Sequence, residues 1–204
     1  QSLAMTKDMK LYKNFSLSEI LYYKIGGVAQ YALKVENKED LLEALDFVKK
    51  NKIKKVLPIG LGSNLLMNDN PFGGAILWFS TSSKNGITQK DSGLIEAFSS
   101  VLLDDLIQFC FSKNLIGLEW AGGLPSTVGG AVRGNVGAFG GEISGSVDKI
   151  EVFEVRSDGE FVQKTLKASG LEFNYRESLV KKHKNWIIGN CYFKLNIAND
   201  KMAK

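Results

Sequence analysis

The chain has 204 residues, of which 44% are hydrophobic and 24% charged, and its formal net charge is +4. No uninterrupted apolar run approaches the roughly 18 residues that a membrane-spanning helix needs, and no signal peptide is recognisable, so we expect a cytoplasmic protein without a membrane partner. The small net charge suits an anionic small molecule as readily as a nucleic acid.

Cysteine and histidine content excludes further kinds of chemistry. Cys110 and Cys191 lie far apart and form no CxxC motif, so neither a disulfide framework nor a zinc site is predicted. His183 is the only histidine, which nearly excludes a histidine base or a multi-histidine metal site. We therefore predict no metal.

The first part of the chain predicts a strand, a helix and a second strand. Residues 1–4 precede Met5 and are interpreted as a cloning remnant. Tyr31 to Val35 alternates like a strand, and Asn37 is a candidate N-cap of a helix with apolar residues at helical spacing up to Val48. Lys55 to Ile59 predicts a short strand whose proline favours an edge or terminal position.

This second strand leads into a glycine loop, Gly60 to Leu66, with the sequence GLGSNLL. Such a loop after a strand–helix–strand unit can present main-chain N–H groups to an anion. It is neither the dinucleotide fingerprint GxGxxG nor a Walker loop, because it lacks the last glycine and the Gly-Lys-Ser/Thr sequence. A plain tight turn is at least as good an interpretation of the loop alone.

The remaining elements predict an α+β protein with a division near Phe79. We expect a small unit at 5–78 and a larger one at 79–204. At the border and in the larger unit we predict strands at 75–79 and 94–98, with a polar loop or hairpin at 80–93 between them. A helix follows at 104–111, with Leu106, Ile107, Cys110 and Phe111 on its inner side. A hairpin at 149–164 and a last strand at 186–195 complete the unit.

A second glycine-rich segment, Gly117 to Glu142, organises the larger unit. Nine of the chain's 21 glycines lie in it. Because glycine loses much backbone entropy on folding, we expect turns and short strands here rather than a plain helix. A tightly wound loop without a ligand is the alternative.

Together the two glycine-rich segments suit a ligand with a diphosphate and a flat apolar ring. Peptide N–H groups bind oxyanions through partial charge, and glycine lets a ring approach the main chain. A flavin nucleotide fits this description, and a nucleotide sugar fits it less well because the segments are too apolar. The flanking polar residues are Ser63, Asn64, Ser126, Thr127 and Asn135.

Four ordered motifs resemble the UDP-N-acetylenolpyruvoylglucosamine reductase family, flavoenzymes of bacterial peptidoglycan synthesis. They are residues 60–66, 123–131, 135–142 and 175–178, and Ile25 to Gly27 also matches the family's entry motif. The resemblance runs from Tyr22 to Leu195. It implies the family's two-subdomain FAD-binding fold of the vanillyl-alcohol-oxidase type, with NADPH as hydride donor and UDP-N-acetylenolpyruvoylglucosamine as substrate.

The resemblance also implies a set of site residues. The FAD diphosphate would lie on the first glycine loop, the flavin along the second segment, and the adenine end near Ile188. The implied cofactor-binding residues are Gly60, Leu61, Gly62, Ser63, Asn64, Leu65, Pro125, Ser126, Thr127, Gly129, Gly130, Ala131, Asn135, Gly137 and Ile188. Arg176 would be catalytic and would bind the substrate carboxylate beside Tyr175, because guanidinium matches carboxylate in a bidentate contact. A structural ion pair of Arg176 with Glu172 or Glu177 is the alternative.

Several positions depart from the family pattern. Ser126 replaces a usual glycine, Phe98-Ser99-Ser100 replaces a Gly-Ala-Gly run, and Tyr22 replaces a threonine, so the flavin pocket is expected to be altered. No motif matches the protonating serine or the assisting glutamate of the family's third, substrate-binding domain.

We therefore expect this chain to bind FAD but to be inactive alone. A stand-alone, non-catalytic flavin-binding module is the alternative. A nucleic-acid binder using Lys181 to Lys184 is disfavoured, because a solvated turn explains that run better.

Overall fold

The computed structural model of the chain describes residues 10–80 and 86–198. The predicted cloning remnant at 1–4 and the chain beyond 198 lie outside the described residues. The described elements form two main sheets with helices packed on them, and two short two-stranded sheets.

The first sheet has four strands in the order β1-β2-β4-β3. Strand β1 is antiparallel to β2, whereas β4 is parallel to both β2 and β3. Helix α1 connects β2 to β3, so the predicted strand–helix–strand unit is confirmed. The bounds are β1 Leu11–Ser16, β2 Val28–Val35, α1 Lys38–Lys50, β3 Val56–Ile59 and β4 Phe72–Phe79.

Local chemistry accounts for both ends of this unit. The side chain of Asn37 accepts a hydrogen bond from the Asp40 N–H at 2.8 Å, so the predicted N-cap of α1 is confirmed. Pro58 lies in β3, the outer strand of the sheet, where a residue without an N–H is tolerated. The predicted edge position is therefore confirmed.

The second sheet is antiparallel and has five strands in the order β11-β10-β12-β6-β5. It contains the predicted hairpin and the predicted last strand. Strand β5 pairs with β6 as a hairpin, and residues 81–85 of the predicted polar loop lie outside the described residues. The bounds are β5 Ile87–Asp91, β6 Leu94–Phe98, β10 Val147–Val155, β11 Phe161–Lys167 and β12 Trp186–Lys194.

Helix α2, Leu103–Ser112, corrects one prediction about its inner face. Leu106, Ile107 and Cys110 are buried as predicted, but Phe111 is 46% exposed. Leu103 is also buried, and the four buried side chains centre on one direction of the helix. At about 100° per residue, Phe111 points roughly 90° away from that direction.

Buried side chains from both sheets form one main core. Leu33 and Leu77 of the first sheet belong to it together with Phe153 and Phe193 of the second. A smaller cluster beside β1 includes Phe15, Leu17 and Ile76. The four strands of the first sheet all end by Phe79, but the division into units 5–78 and 79–204 stays a prediction.

The glycine-rich segment contains a helix, contrary to the sequence-based expectation. Helix α3, Val128–Arg133, follows Thr127, whose Oγ1 accepts a hydrogen bond from the Gly130 N–H at 3.2 Å. Gly129 brings α3 against Ser99: its N–H donates to the Ser99 carbonyl at 3.0 Å, and an added Cβ would lie 2.5 Å from the Ser99 Cβ. Glycine is thus required for close packing of the helix rather than for a turn.

Short strands do occur elsewhere in the segment, as predicted. Strands β8 and β9 of the segment form a small hairpin, whereas β7 lies just before the segment and pairs with β13 near the end of the described chain. The last helix, α4, follows the Tyr175–Ser178 motif. The bounds are β7 Leu115–Ile116, β8 Gly137–Ala138, β9 Gly141–Glu142, α4 Leu179–Lys182 and β13 Asn196–Ile197.

A substitution at Gly129 tests this packing. We expect Gly129→Ala to lower the free energy of unfolding by about 1–3 kcal/mol, because the new methyl group overlaps Ser99. Gly145→Ala is the matched control, since an added Cβ there meets nothing within 4 Å. Urea unfolding of both variants makes the comparison, and equal stability of the two would contradict the packing role of Gly129.

Candidate functional site

An open cleft lies where the C-terminal end of β3 approaches α3 and the start of β12. It holds about 360 Å³ of space, part of it open to solvent. Five predicted cofactor-binding residues line it, so the two glycine-rich segments share one cleft. The lining residues are Pro58, Ile59, Gly60, Phe79, Ser99, Thr127, Gly129, Gly130, Arg133, Trp186 and Ile188.

The two glycine-rich segments touch each other directly beside the cleft. The hydroxyl of Ser63 donates to the Pro125 carbonyl at 2.6 Å. A Cβ added at Gly60 would lie 2.6 Å from Oγ1 of Thr127, so only glycine permits this approach. Ser63 and Pro125 were both predicted site residues, and the structure joins them.

The loop after β3 has main-chain donors that the protein leaves unused. Within residues 10–80 and 86–198, no acceptor makes a hydrogen bond with the N–H groups of Leu61, Gly62, Ser63 and Asn64. Gly62 is buried and has φ +64°, and an added Cβ would lie 2.9 Å from the Ile20 carbonyl. Consecutive main-chain N–H groups without an acceptor in the protein can bind an oxyanion, so this loop, in which Gly62 is buried and Asn64 exposed, is suited to such a ligand.

In contrast, the side-chain hydroxyls around the cleft are engaged within the protein. Ser99 donates to the Ile188 carbonyl at 2.8 Å, and Thr127 caps α3. Ser126 donates to the Thr127 carbonyl at 2.9 Å, and its φ is not positive, so serine fits where the family has glycine. The polar groups left for a ligand are mainly those of the main chain.

Arg133 is a cleft residue that the sequence analysis missed. It is half-buried at the end of α3, and its Nη1 donates to the Val180 carbonyl at 2.7 Å. Burial lowers the pKa of its guanidinium. The sequence signal that could have found it is that Arg133 is the only charged residue between Glu119 and Glu142.

Arg176 and Tyr175 lie outside the cleft lining, at the tip of a tight turn. The main chains of Asn174 and Glu177 are hydrogen-bonded to each other in both directions across this turn, at 3.1 and 2.9 Å. The Arg176 guanidinium donates to the Gly137 carbonyl and lies 5.2 Å from the centre of the Tyr175 ring. Tyr175 is 74% exposed and Arg176 is also exposed, so both side chains are accessible from solvent.

The alternative ion pairs of Arg176 do not form among the described residues. Glu172 pairs with Lys182 at 3.0 Å, and no carboxylate of the described chain lies within ion-pair distance of Arg176. The basic run Lys181 to Lys184 thus contributes one exposed ion pair, that of Lys182 with Glu172. In the same run, Lys181 donates to the Arg176 carbonyl at 2.8 Å. These contacts leave the Arg176 guanidinium without a protein counter-charge.

Asn135 joins three segments behind this turn. Its amide donates to Oε2 of Glu142 at 3.0 Å and to the Asn174 carbonyl at 2.9 Å, and its oxygen accepts from the Ser144 N–H at 3.2 Å. The residue is fully buried and has φ +41°. Its side chain is thus occupied in holding the Arg176 turn.

The other predicted cofactor residues lie near the cleft but do not line it. Gly137 accepts from Arg176, and Ala131 is buried within α3. Leu65 packs on the smaller core cluster, and Asn64 is exposed. Tyr22, a departure from the family pattern, is 69% exposed and its N–H donates to the Gly62 carbonyl at 3.3 Å.

Both cysteines are buried and free. Burial raises the pKa of Cys110 to about 12 and raises that of Cys191 as well. Because thiolate is then scarce at pH 8, we expect neither thiol to react with a disulfide reagent in the folded protein, and both to react after unfolding. Rapid reaction of either thiol before unfolding would contradict this burial.

Two features are absent from the residues that the structure describes. These residues contain no group of three or more His, Cys, Asp or Glu side chains placed to hold a metal ion. None of their helices has the length and hydrophobicity that crossing a membrane requires.

Comparison with known proteins identifies the class. A family model described as "FAD binding domain" matches residues 29–163. The chain therefore belongs to the FAD-binding domain family. A solvent-stable cholesterol oxidase shares the fold alone, with a TM-score of 0.66 at 14% identity over 93% of this chain and 38% of that one. The predicted α+β fold of the vanillyl-alcohol-oxidase type is confirmed.

Within this class the chain is similar to UDP-N-acetylenolpyruvoylglucosamine reductases, and the resemblance inferred from the four motifs is confirmed. It is 35% identical over 182 residues to the reductase of Clostridium botulinum (strain Eklund 17B / Type B), covering 89% of this chain and 57% of that protein. The solved reductase structure from Thermus caldophilus has a TM-score of 0.69 and 26% identity, covering 96% of this chain and 65% of that one. The chain thus spans little more than half the length of this curated relative.

Proposed function

We propose that the chain binds FAD in the cleft between its two glycine-rich segments. The observation that carries this proposal is that the segments meet, through Ser63 and Pro125, at a loop in which four N–H groups have no acceptor among the described residues. The diphosphate lies on residues 60–65, and the flavin lies along residues 125–137. Membership of the FAD-binding domain family supports this assignment.

The residues of the cleft fit such a ligand. Phe79, Trp186 and Ile188 supply apolar surface, and the main chain supplies donors. Asn135 acts by positioning, because its side chain is occupied within the protein.

We further propose that the chain is the FAD-binding part of a cytoplasmic UDP-N-acetylenolpyruvoylglucosamine reductase. When bound, FAD would supply hydride transfer from NADPH to the enolpyruvyl double bond. Arg176 orients the substrate carboxylate, because its guanidinium is exposed and has no counter-charge among the described residues. Tyr175 stacks beside it and limits its directions of approach.

None of the residues assigned here supplies the proton that the substrate carbon must take up. We therefore expect this chain alone, loaded with FAD, to reduce the substrate far below the roughly 1–10³ s⁻¹ typical of enzymes. An NADPH oxidation assay with UDP-N-acetylenolpyruvoylglucosamine measures this rate. Turnover in the typical range would contradict the proposed dependence on a further segment.

A reconstitution experiment distinguishes the FAD-binding part of a reductase from a stand-alone flavin-binding module. The part of a related reductase that this chain does not match, added as a separate polypeptide, should restore measurable turnover to the FAD-loaded chain. Arg176→Lys should then lose most of that turnover while it retains FAD, because lysine cannot form the bidentate contact. Failure to restore any turnover would favour the non-catalytic module.

A binding titration tests the cofactor itself. FAD should bind more tightly than riboflavin, which has the same ring system but no diphosphate. The quenching of flavin fluorescence measures both affinities. Equal affinities would show that the glycine loop does not bind the diphosphate.

A further inference from the structure

Arg133 brings a positive charge into an otherwise neutral cleft. It is the only ionisable side chain among the residues that line the cleft. Its single side-chain hydrogen bond among the described residues is the one to the Val180 carbonyl, at 2.7 Å. A guanidinium has five N–H donors, so most of them remain available.

The described part of the chain provides no carboxylate for this charge. No ion pair to Arg133 exists within residues 10–80 and 86–198. Burial is the one cause that shifts its pKa, and it shifts it downward, against the charged form. Holding a partly buried cation without a counter-ion costs stability, and an anionic ligand in the cleft would remove that cost.

The position of Arg133 favours a phosphoryl group as this anion. Gly130 and Arg133 are three residues apart on α3, so they lie on the same face of the helix, and both line the cleft. Gly60, where the loop with unpaired N–H groups begins, lines the same cleft. A phosphoryl group between these elements would receive neutral donors from the loop and a charged donor from α3.

We propose that Arg133 binds a phosphoryl oxygen of the dinucleotide diphosphate. This inference rests on the proposed FAD site and adds a specific charged contact to it. A charge-assisted hydrogen bond of this kind is shorter and stronger than a neutral one. Arg133 therefore selects nucleotides with a diphosphate over nucleosides.

The test compares ADP with adenosine as probes on the flavin-free chain. Arg133→Met should weaken binding of both FAD and ADP about 10- to 100-fold and leave adenosine binding within about twofold. Arg133→Lys keeps the charge but not the planar fork. Its affinities for FAD and ADP should fall between those of the wild type and those of Arg133→Met. Arg156→Met is the matched control, because Arg156 is exposed on the β10–β11 turn.

Each possible result either supports this proposal or identifies the assumption that fails. Equal weakening of ADP and adenosine would overturn the proposal in favour of contact with the base or of loosened folding. A selective loss of UDP-N-acetylglucosamine binding to the FAD-loaded protein would assign Arg133 to a nucleotide-sugar diphosphate and also overturn it. If the wild-type chain bound neither FAD nor ADP, the FAD site itself would fail. If it bound both and Arg133→Met changed neither, this inference alone would fail.

Discussion

Gly62→Val is expected to lower the affinity for FAD about 100-fold or more. Gly62 has φ +64°, and an added Cβ would lie 2.9–3.0 Å from Ile20 and Leu21, so the loop must move to accept a branched side chain. Movement would misdirect at least two of the four unpaired N–H groups. Each charge-assisted hydrogen bond contributes about 1.5–3 kcal/mol, so the loss of two explains the expected effect.

Two controls keep this result interpretable. Gly73→Val lies in β4, where an added Cβ meets nothing within 4 Å, and it should leave FAD affinity unchanged. Riboflavin lacks the diphosphate and should bind Gly62→Val about as well as it binds the wild type. Fluorescence titration with both ligands measures this, and an equal loss for riboflavin and FAD would exclude a specific role of the loop.

Asn135→Ala is expected to lower the free energy of unfolding by about 3–5 kcal/mol. The substitution removes three hydrogen bonds from a fully buried side chain and leaves Glu142, Ser144 and the Asn174 carbonyl without these partners. The three partners lie in exposed or partly exposed residues, so each lost hydrogen bond costs about 0.5–1.5 kcal/mol rather than a full burial penalty. Alanine also tolerates φ +41° less well than asparagine does.

Asn114→Ala separates these two contributions. Asn114 has a similar φ of +55° but is exposed, so its replacement isolates the backbone cost of about 1–2 kcal/mol. Urea unfolding monitored by circular dichroism gives both values. Equal destabilisation by the two substitutions would show that the buried hydrogen bonds of Asn135 contribute nothing.

The parts of the fold that local chemistry specifies could be predicted from the sequence. Asn37 caps α1 as expected, because the cap and the apolar periodicity that follows lie within one short stretch. The β10–β11 hairpin follows from its turn residues, and the edge position of β3 follows from Pro58. In each case the residues that decide the structure are neighbours in the sequence.

What could not be predicted depends on contacts between distant residues. Helix α3 forms in a glycine-rich stretch because Gly129 packs on Ser99, thirty positions earlier, and no local propensity reveals that contact. Arg133 stands out in the sequence as the one charge in its glycine-rich segment, but its place in the cleft depends on the fold. The motifs predicted which segments would meet, whereas the structure shows that Asn135 supports the Arg176 turn from the protein interior.

The structure also links the cleft to Arg176. The hydroxyl of Ser178 donates to the Arg133 carbonyl at 2.7 Å, and Asn135 donates to the Asn174 carbonyl. Both ends of the Arg176 turn are therefore fixed to the residues at and just beyond the end of α3. We expect any ligand that orders α3 to order this turn as well.

A crystal structure of this chain with FAD tests the central claim most directly. We expect diphosphate oxygens within about 2.7–3.2 Å of main-chain nitrogens between Leu61 and Asn64, with the flavin lying along the segment after Pro125. A diphosphate that lies away from this loop, or an FAD bound outside the cleft, would contradict it.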